Sequence, residues 1–183
     1  MIRRLAASVA VLLMLSGCTA AAKPDEPDVP SPFAACHALP GKTEIPEMPD
    51  VSLRCFTGGG TVSLRTLSVP TVINIWGSWC GPCREELPIF QGLADRADGQ
   101  FTVLSVNTKD TRNRGADFGT DASVSFPTLF DPEMTFATKI GATMLPATVF
   151  INADRKMYVH RAAMDVDELI EQVRKHIGVT VTR

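Results

Sequence analysis

The sequence has no large excess of either charge, no low-complexity tract and no apolar run long enough to cross a membrane. Its 18 Lys and Arg residues stand against 20 Asp and Glu residues, for a net charge of −2. Because there is no basic excess to neutralise phosphates, the charge balance argues against a nucleic-acid-binding function. The absence of heptad and Gly-X-Y repeats excludes coiled coils and collagen. A chain of 183 residues, 45% of them hydrophobic, suits one domain with a buried core.

The first 17 residues have the pattern of a signal peptide. Arg3 and Arg4 form a short basic region, and residues 5–15 (LAASVAVLLML) are rich in apolar side chains. This stretch is too short for a membrane-spanning helix and is typical of a signal-peptide core. It ends in LSGC, which resembles the bacterial lipobox, so Cys18 is the expected lipidation site. The alternative is an unrelated cysteine near an ordinary cleavage site.

Residues 18–35 are predicted to form a lipid anchor and a flexible tether. The stretch from 19 to 35 holds four prolines and almost no large apolar side chains. Such a composition cannot offset the entropy that is lost when a segment becomes ordered. With two or three acyl chains on Cys18 the anchor is stable. The tether is therefore expected to hold a folded domain, residues 36–183, at the extracytoplasmic face of a bacterial cell membrane.

Four cysteines remain for the folded domain, in a compartment where disulfides persist. Cys80 and Cys83 lie in a C-x-x-C sequence and are expected to pair with each other, although four cysteines allow three pairings. This leaves Cys36 and Cys55 for a structural disulfide. The alternative, a structural zinc site, is disfavoured because the C-x-x-C has no second C-x-x-C or H-x-x-x-H to complete four ligands.

Hydrophobic periodicity predicts an α/β fold, with one sheet between layers of helices. A glycine run separates the first two strands, and a buried strand precedes the C-x-x-C. The predicted strands are 51–56, 61–64, 71–76, 101–106, 147–151 and 156–161; the predicted helices are 81–97, 112–123, one from Pro132 to Gly141, and one capped by Asp165.

The C-x-x-C lies where the third strand meets the first helix. Unpaired N–H groups and the positive end of the helix dipole stabilise a thiolate at Cys80, while Cys83, one turn inside the helix, is shielded. The pair can therefore cycle between dithiol and disulfide; the alternative is a permanently closed disulfide. Trp76 and Trp79 flank the site as apolar walls, unless either belongs to the core.

The segment WGSWCGPCREELP, residues 76–88, resembles the active-site segment of the thioredoxin superfamily. More narrowly it is similar to the exported TlpA/ResA-type thiol–disulfide oxidoreductases, over about residues 50–178. The resemblance implies a thioredoxin-like mixed β-sheet flanked by helices, with an N-terminal β-hairpin. It also implies an inserted β/α element, for which residues 112–130 are the candidates.

The resemblance also implies which residues hold the substrate. The superfamily has a cis-proline facing the cysteines, and the matching dipeptide here is Leu145-Pro146. It is expected to keep the substrate chain extended. Trp79, Gly81 and Pro82 complete the predicted substrate-positioning set.

One departure from plain thioredoxin concerns proton transfer. Asn74 occupies the position of the buried acid of thioredoxin, and an amide cannot take up or deliver a proton. TlpA/ResA-type proteins have a glutamate three residues after the second cysteine, here Glu86. At about 100° per residue, Glu86 lies about 60° from the direction of Cys83, while Glu85 points outward. Glu86 is therefore predicted to join Cys80 and Cys83 as the third catalytic residue, acting as a proton relay.

These observations predict a membrane-tethered thiol–disulfide oxidoreductase that reduces protein disulfides. No metal, nucleotide or other cofactor is implied, and the chain is expected to act as a monomer. By resemblance, the electron donor is a membrane thiol transporter of the CcdA/DsbD type. Exported proteins with disulfides are the substrates, apocytochrome c among them.

Three other functions are compatible with parts of the pattern. A Dsb-like oxidant would form disulfides in secreted proteins, but the Gly-Pro between the cysteines is typical of reducing thioredoxins. A redoxin-group peroxidase is disfavoured because Cys80 is not preceded by P-x-x-x-T-x-x. A Sco-like copper-delivery lipoprotein would use C-x-x-x-C and a distant histidine.

Overall fold

The computed structural model describes residues 29–183, so the predicted signal peptide and Cys18 lie outside the described residues. The strands are β1 (Ser52–Cys55), β2 (Thr61–Ser63), β3 (Thr71–Trp76), β4 (Thr102–Thr108), β5 (Thr128–Asp131), β6 (Ala147–Ile151) and β7 (Met157–His160). The helices are α1 (Gly81–Asp95), α2 (Arg112–Asp121), α3 (Thr135–Lys139) and α4 (Val166–His176). Within this part of the chain, none of the helices is both long and apolar enough to cross a bilayer.

The strands form one mixed sheet in the order β2-β1-β5-β4-β3-β6-β7. The central strands β3, β4 and β5 are parallel, and β6 runs antiparallel to β3. An antiparallel β1–β2 hairpin joins the sheet through β5. This is the thioredoxin-like mixed sheet that the resemblance implies. The segment 112–130 forms α2 and most of β5, which brings the hairpin into the same sheet.

Both faces of the sheet are covered, because every residue of the central strand β3 is buried. On one face α1, α2 and α4 pack on side chains such as Val72, Trp76 and Phe150. On the other face α3 and the segment before β1 pack on Ile73, Ile75 and their neighbours. The buried, largely β-branched strand β3 thus supports α1, the helix that begins at the C-x-x-C.

The start of α3 differs from its prediction. The sequence placed it at Pro132, but the helix begins at Thr135. Asp131 is the reason, because its carboxylate accepts the N–H groups of Thr135 at 2.8 Å and of Phe136 at 2.9 Å. The predicted cap of α4 is confirmed, since Asp165 accepts the N–H of Glu168 at 2.9 Å.

The last residues of the predicted tether are packed on the domain. Phe33 is only 2% exposed and its ring meets that of Phe56 edge-on, at 4.9 Å between centroids. The ring occupies space that only a glycine leaves free, because a Cβ at Gly119 would clash with it. The N–H of Ala34 donates to the Ser125 carbonyl at 2.8 Å. The folded part therefore begins before residue 36, since burying the Phe33 ring offsets the entropy of ordering its segment.

Candidate active site

The two cysteines of the C-x-x-C lie where β3 passes into α1. Cys80 is the N-cap residue of α1, and its Sγ accepts a hydrogen bond from the Cys83 N–H at 3.3 Å. The two residues form a disulfide with their Cα atoms 5.3 Å apart. Cys80 is 5% exposed and Cys83 1% exposed. Cys80 is therefore the more exposed of the two cysteines, and Cys83 is covered almost completely.

The local sequence explains why α1 begins at this point. Pro82 lies in its first two positions, where a missing N–H costs nothing and the fixed φ suits a helix. The side chains of Leu87 and Phe90 are buried and fasten α1 to the sheet. The free N–H groups of the first turn are thus held next to Cys80, where they favour a thiolate.

Glu86 lies on the buried side of α1 and is only 2% exposed. Its Oε2 accepts from Asn74 Nδ2 at 3.0 Å, and its Oε1 accepts from the Met164 N–H at 3.1 Å. Burial raises the pKa of this carboxyl from 4.5 to about 7. The two hydrogen bonds lower the pKa by a smaller amount, and the negative charge of Glu168 raises it further. A carboxyl with this pKa can take up or release a proton near neutral pH. The neighbouring Glu85 is exposed, as the helical spacing predicts.

Asn74 lies beneath α1, on the central strand. Its Nδ2 donates to Glu86, whereas its Oδ1 is buried and has no hydrogen-bond partner among the described residues. The Nδ2 of the Asn74 amide can donate to a carboxylate. When the amide group rotates by 180°, its Oδ1 takes that place and can accept from a protonated carboxyl. Asn74 can therefore satisfy Glu86 in either protonation state.

The predicted substrate-positioning residues lie near the carboxyl end of β3. The Leu145–Pro146 peptide bond is cis, as the resemblance implies. Because Ala147 of β6 is paired with Ile75 of β3, this bond lies beside the end of β3 that leads to Cys80. Gly81 and Pro82 are both exposed at the start of α1.

Two large apolar side chains are exposed, one just before Cys80 and one just before the Leu145–Pro146 bond. Trp79 is 52% exposed and its Nε1 donates to the Lys109 carbonyl at 2.8 Å, whereas Trp76 is fully buried and belongs to the core. Met144, just before the cis bond, is 78% exposed and is not among the site residues that the sequence predicts. A methionine next to the predicted cis-proline dipeptide was the signal that could have indicated it.

Cys36 and Cys55 form the second disulfide, with their Cα atoms 5.9 Å apart. Both cysteines are buried in the core on the face of α3. They also line an open cavity of about 130 Å³, together with His37 and the glycine turn between β1 and β2. The bond joins the segment that follows Phe33 to the first strand of the sheet.

Comparisons with known proteins show which family the chain resembles. A family model described as Redoxin matches residues 44–172. Sporulation thiol-disulfide oxidoreductase A of Bacillus subtilis is 27% identical over 119 residues, which cover 63% of this chain and 72% of that protein. Thiol-disulfide oxidoreductase ResA of the same organism is 27% identical over 103 residues, 55% of this chain and 58% of ResA.

Solved structures show the same fold. The structure of Mycobacterium tuberculosis DsbF in its mixed oxidised and reduced forms superposes with a TM-score of 0.64 and 25% identity, over 70% of this chain and 98% of that one. The resemblance to the thioredoxin superfamily and to TlpA/ResA-type proteins is therefore confirmed. The chain belongs to the redoxin family and is a thiol–disulfide oxidoreductase with a thioredoxin-like fold.

Proposed function

We propose that this protein is a membrane-tethered, extracytoplasmic enzyme that reduces protein disulfides with the Cys80–Cys83 couple. The observation that carries the direction is the environment of Cys80. Its Sγ accepts the Cys83 N–H, and the intervening Gly81 and Pro82 have no side-chain donor to add. The thiolate is then stabilised mainly by the helix terminus, and a less stabilised dithiol is a stronger reductant.

The proposed reaction has two exchange steps. The Cys80 thiolate attacks one sulfur of the substrate disulfide, a mixed disulfide forms, and the first substrate thiolate leaves. Cys83 then gives its proton to the Glu86 carboxylate and attacks the Cys80 sulfur, which releases the second substrate thiolate. The enzyme ends as a disulfide and the substrate gains two electrons and, in water, two protons.

Glu86 and Asn74 support the second step of this reaction. A carboxyl with a pKa of about 7 is ionised in part of the molecules at neutral pH and can accept the proton of a buried thiol. On protonation, rotation of the Asn74 amide replaces its donated hydrogen bond by an accepted one. The cost of holding the extra proton inside the protein is thereby reduced.

The proposed location and partners rest on the sequence patterns and on the relatives. The signal-like residues 1–17 and the lipobox-like LSGC at Cys18 support export and lipid anchoring. An oxidising compartment would otherwise keep the couple as a disulfide, so the proposal needs a membrane thiol donor, of the CcdA/DsbD type by resemblance. The 25% identity to the thiol:disulfide interchange protein CycY of Rhizobium leguminosarum supports thiol–disulfide exchange as the reaction. The signal-like residues 1–17 support exported proteins as the substrates. Apocytochrome c is the specific candidate.

An equilibrium titration against glutathione tests the direction of electron flow. We expect a reduction potential near that of thioredoxin, about −270 mV, rather than near that of DsbA, about −120 mV. A value above about −180 mV, the level of disulfide isomerase, would contradict the reductase and favour a Dsb-like oxidant.

Trapping tests the partners and the order of attack. In Cys83→Ser the mixed disulfide cannot be resolved, so exported substrates and the donor should accumulate on Cys80. Cys80→Ser is the matched control and should trap much less. Equal trapping by the two variants would contradict Cys80 as the attacking residue.

Membrane fractionation tests the anchor. The full chain should sediment with membranes, and Cys18→Ser should release it into the soluble exported fraction. Cys36→Ser controls for the loss of any cysteine and should leave the protein on the membrane. Identical fractionation of the parent and Cys18→Ser would show that Cys18 is not the lipidation site.

A further inference from the structure

The loop between β4 and α2 holds the turn that leads into Cys80. Asp110 accepts the Ser78 N–H with Oδ2 at 2.7 Å and the Ser78 hydroxyl with Oδ1 at 2.9 Å. The same carboxylate accepts from Asn107 Nδ2 at 3.0 Å and from the Thr111 N–H at 2.9 Å. Four donors thus converge on one carboxylate, and two of them belong to the turn.

The next residue of the turn is held by the same loop. The Trp79 indole donates to the Lys109 carbonyl, and Lys109 has a left-handed backbone with φ of 51°. A Cβ at Gly77 would lie 2.6 Å from the Trp79 Nε1, so the indole folds back over a position that only glycine leaves free. Ser78 and Trp79, the two residues before Cys80, are therefore both fastened to residues 109–110.

The loop between β4 and α2 is itself hydrogen-bonded to the core, so it can hold the turn before Cys80 in place. The Lys109 N–H donates to the Asp131 carbonyl at 3.1 Å. Thr111 caps α2 by accepting the Arg114 N–H at 3.3 Å. The buried guanidinium of Arg112 donates to the Phe56 carbonyl at 2.7 Å. Motion of the Cys80 turn against this support would break charge-assisted hydrogen bonds.

We propose that Asp110 is a positioning residue for thiol–disulfide exchange, which holds the Ser78–Cys80 backbone so that the Cys80 sulfur stays on the N-terminus of α1. The sulfur benefits from the helix terminus only where it meets the N–H groups of the first turn, and that benefit falls off within one turn. Arg84 supports the same turn, because its Nη1 donates to the Ser78 carbonyl at 3.2 Å. This inference rests on exchange at Cys80 but not on the direction of electron flow.

Asp110 has two opposite effects on the stability of the Cys80 thiolate, one through its charge and one through the position that it imposes on the turn. A nearby negative charge disfavours a thiolate, so removal of the charge alone should favour the Cys80 thiolate in the reduced protein. Loss of the correct position weakens the contact with the helix terminus and should disfavour that thiolate. The hydrogen bonds described above bring two other charged residues to the turn, Lys109 through its carbonyl and Arg84 through its guanidinium, and Glu86 follows Cys83 by three residues on α1. None of these is changed in the variants below, so the two effects of Asp110 can be separated.

Four variants of the full chain separate position from charge. Asp110→Asn removes the charge and leaves the shape, Asp110→Glu keeps the charge but displaces it, and Ser78→Ala removes one donor without changing any charge. Asp154→Asn is the matched control, because this exposed residue lies in the β6–β7 turn, at the opposite end of the sheet from Ala147. Two measurements are made on the reduced protein: the rate of exchange with glutathione disulfide, and the pH dependence of Cys80 alkylation.

We expect Asp110→Asn and Asp110→Glu to exchange about tenfold more slowly, within the roughly hundredfold that a 1 Å misplacement can cost. Ser78→Ala should show a smaller loss of rate. In Asp110→Glu and Ser78→Ala, which keep the charge, the alkylation midpoint of Cys80 should move to higher pH. In Asp110→Asn the two effects on the midpoint oppose each other, so the exchange rate carries the test for that variant. Asp154→Asn should match the parent. Parent-like rates and midpoints in the Asp110 variants would overturn the proposal. So would a midpoint that moves to lower pH in Asp110→Asn while Asp110→Glu and Ser78→Ala match the parent. If the Asp110 variants do not fold, Ser78→Ala decides, and parent-like behaviour there also overturns it. The glutathione potential tests the proposed direction separately.

Discussion

Replacing Glu86 by glutamine should change how the stability of the protein depends on pH. The carboxyl is buried and its pKa is raised from 4.5 to about 7. The folded state therefore binds a proton more tightly than the unfolded state. The resulting stabilisation is fully present below pH 4.5 and is lost as the pH rises to about 7. Glutamine has nearly the same shape and does not titrate, so the variant should lack this dependence.

The size of the effect follows from the two pKa values. At about 1.4 kcal/mol per pKa unit, the change from 4.5 to about 7 corresponds to about 3 kcal/mol of unfolding free energy. Relative to Glu86→Gln, the parent should thus lose about 3 kcal/mol between pH 4 and pH 8. The amide oxygen of the new glutamine can still accept the Met164 N–H, so the variant should keep this hydrogen bond.

Urea unfolding of the oxidised protein at several pH values between 4 and 8 measures this difference. Glu85→Gln is the matched control, because Glu85 is the exposed neighbour on the same helix. Its unfolding free energy should run parallel to that of the parent. Parallel curves for the parent and Glu86→Gln would refute the reasoning, since they would show that Glu86 titrates as an ordinary surface carboxyl.

Other consequences of the structure can be measured directly. Glu86→Gln should slow disulfide reduction at neutral pH by about a hundredfold, the lower end for a lost proton relay, and an unchanged rate would exclude that role. Mild dithiothreitol should open the Cys80–Cys83 disulfide before the second one, and peptide mapping that finds a mixed pairing would contradict the assignment. Gly119→Ala should cost about 1–3 kcal/mol of unfolding free energy, because the new methyl clashes with Phe33; Phe33→Leu should recover part of it, and a neutral Gly119→Ala would be inconsistent with that contact. Trp79→Ala should raise KM for a protein substrate more than for glutathione disulfide, and equal changes would argue against a docking role.

The parts of the site that depend on local sequence were predictable. A β-branched run before C-G-P-C places a buried strand before a helix, and helical spacing puts Glu86 inside and Glu85 outside. The cap at Asp165 is a local pattern of the same kind. In each case the residues that form the feature lie within one or two turns of each other.

The contacts around the site between distant parts of the chain were not predictable in the same way. Glu86 meets the Met164 N–H across 78 positions of sequence, and Asp110 meets Ser78 across 32. Phe33 lies in a segment whose composition indicates a tether, and it is buried because Gly119 leaves room for its ring. Such contacts depend on how elements that are distant in the sequence pack together. Hydrophobic periodicity and motif spacing contain no information about that packing.

The bond from the Met164 amide to Glu86 provides a spectroscopic probe of the redox chemistry. The nitrogen and proton resonances of this one amide should follow the charge of the carboxylate that it contacts, while no thiol is modified. A pH titration of its cross-peak can be recorded for the disulfide and for the dithiol. Coupling between two equilibria is reciprocal. The difference between the titration midpoints of the disulfide and of the dithiol therefore also measures how much the ionisation of Glu86 changes the redox equilibrium of Cys80 and Cys83. One backbone amide can thus measure how tightly electron transfer and proton transfer are linked in this protein.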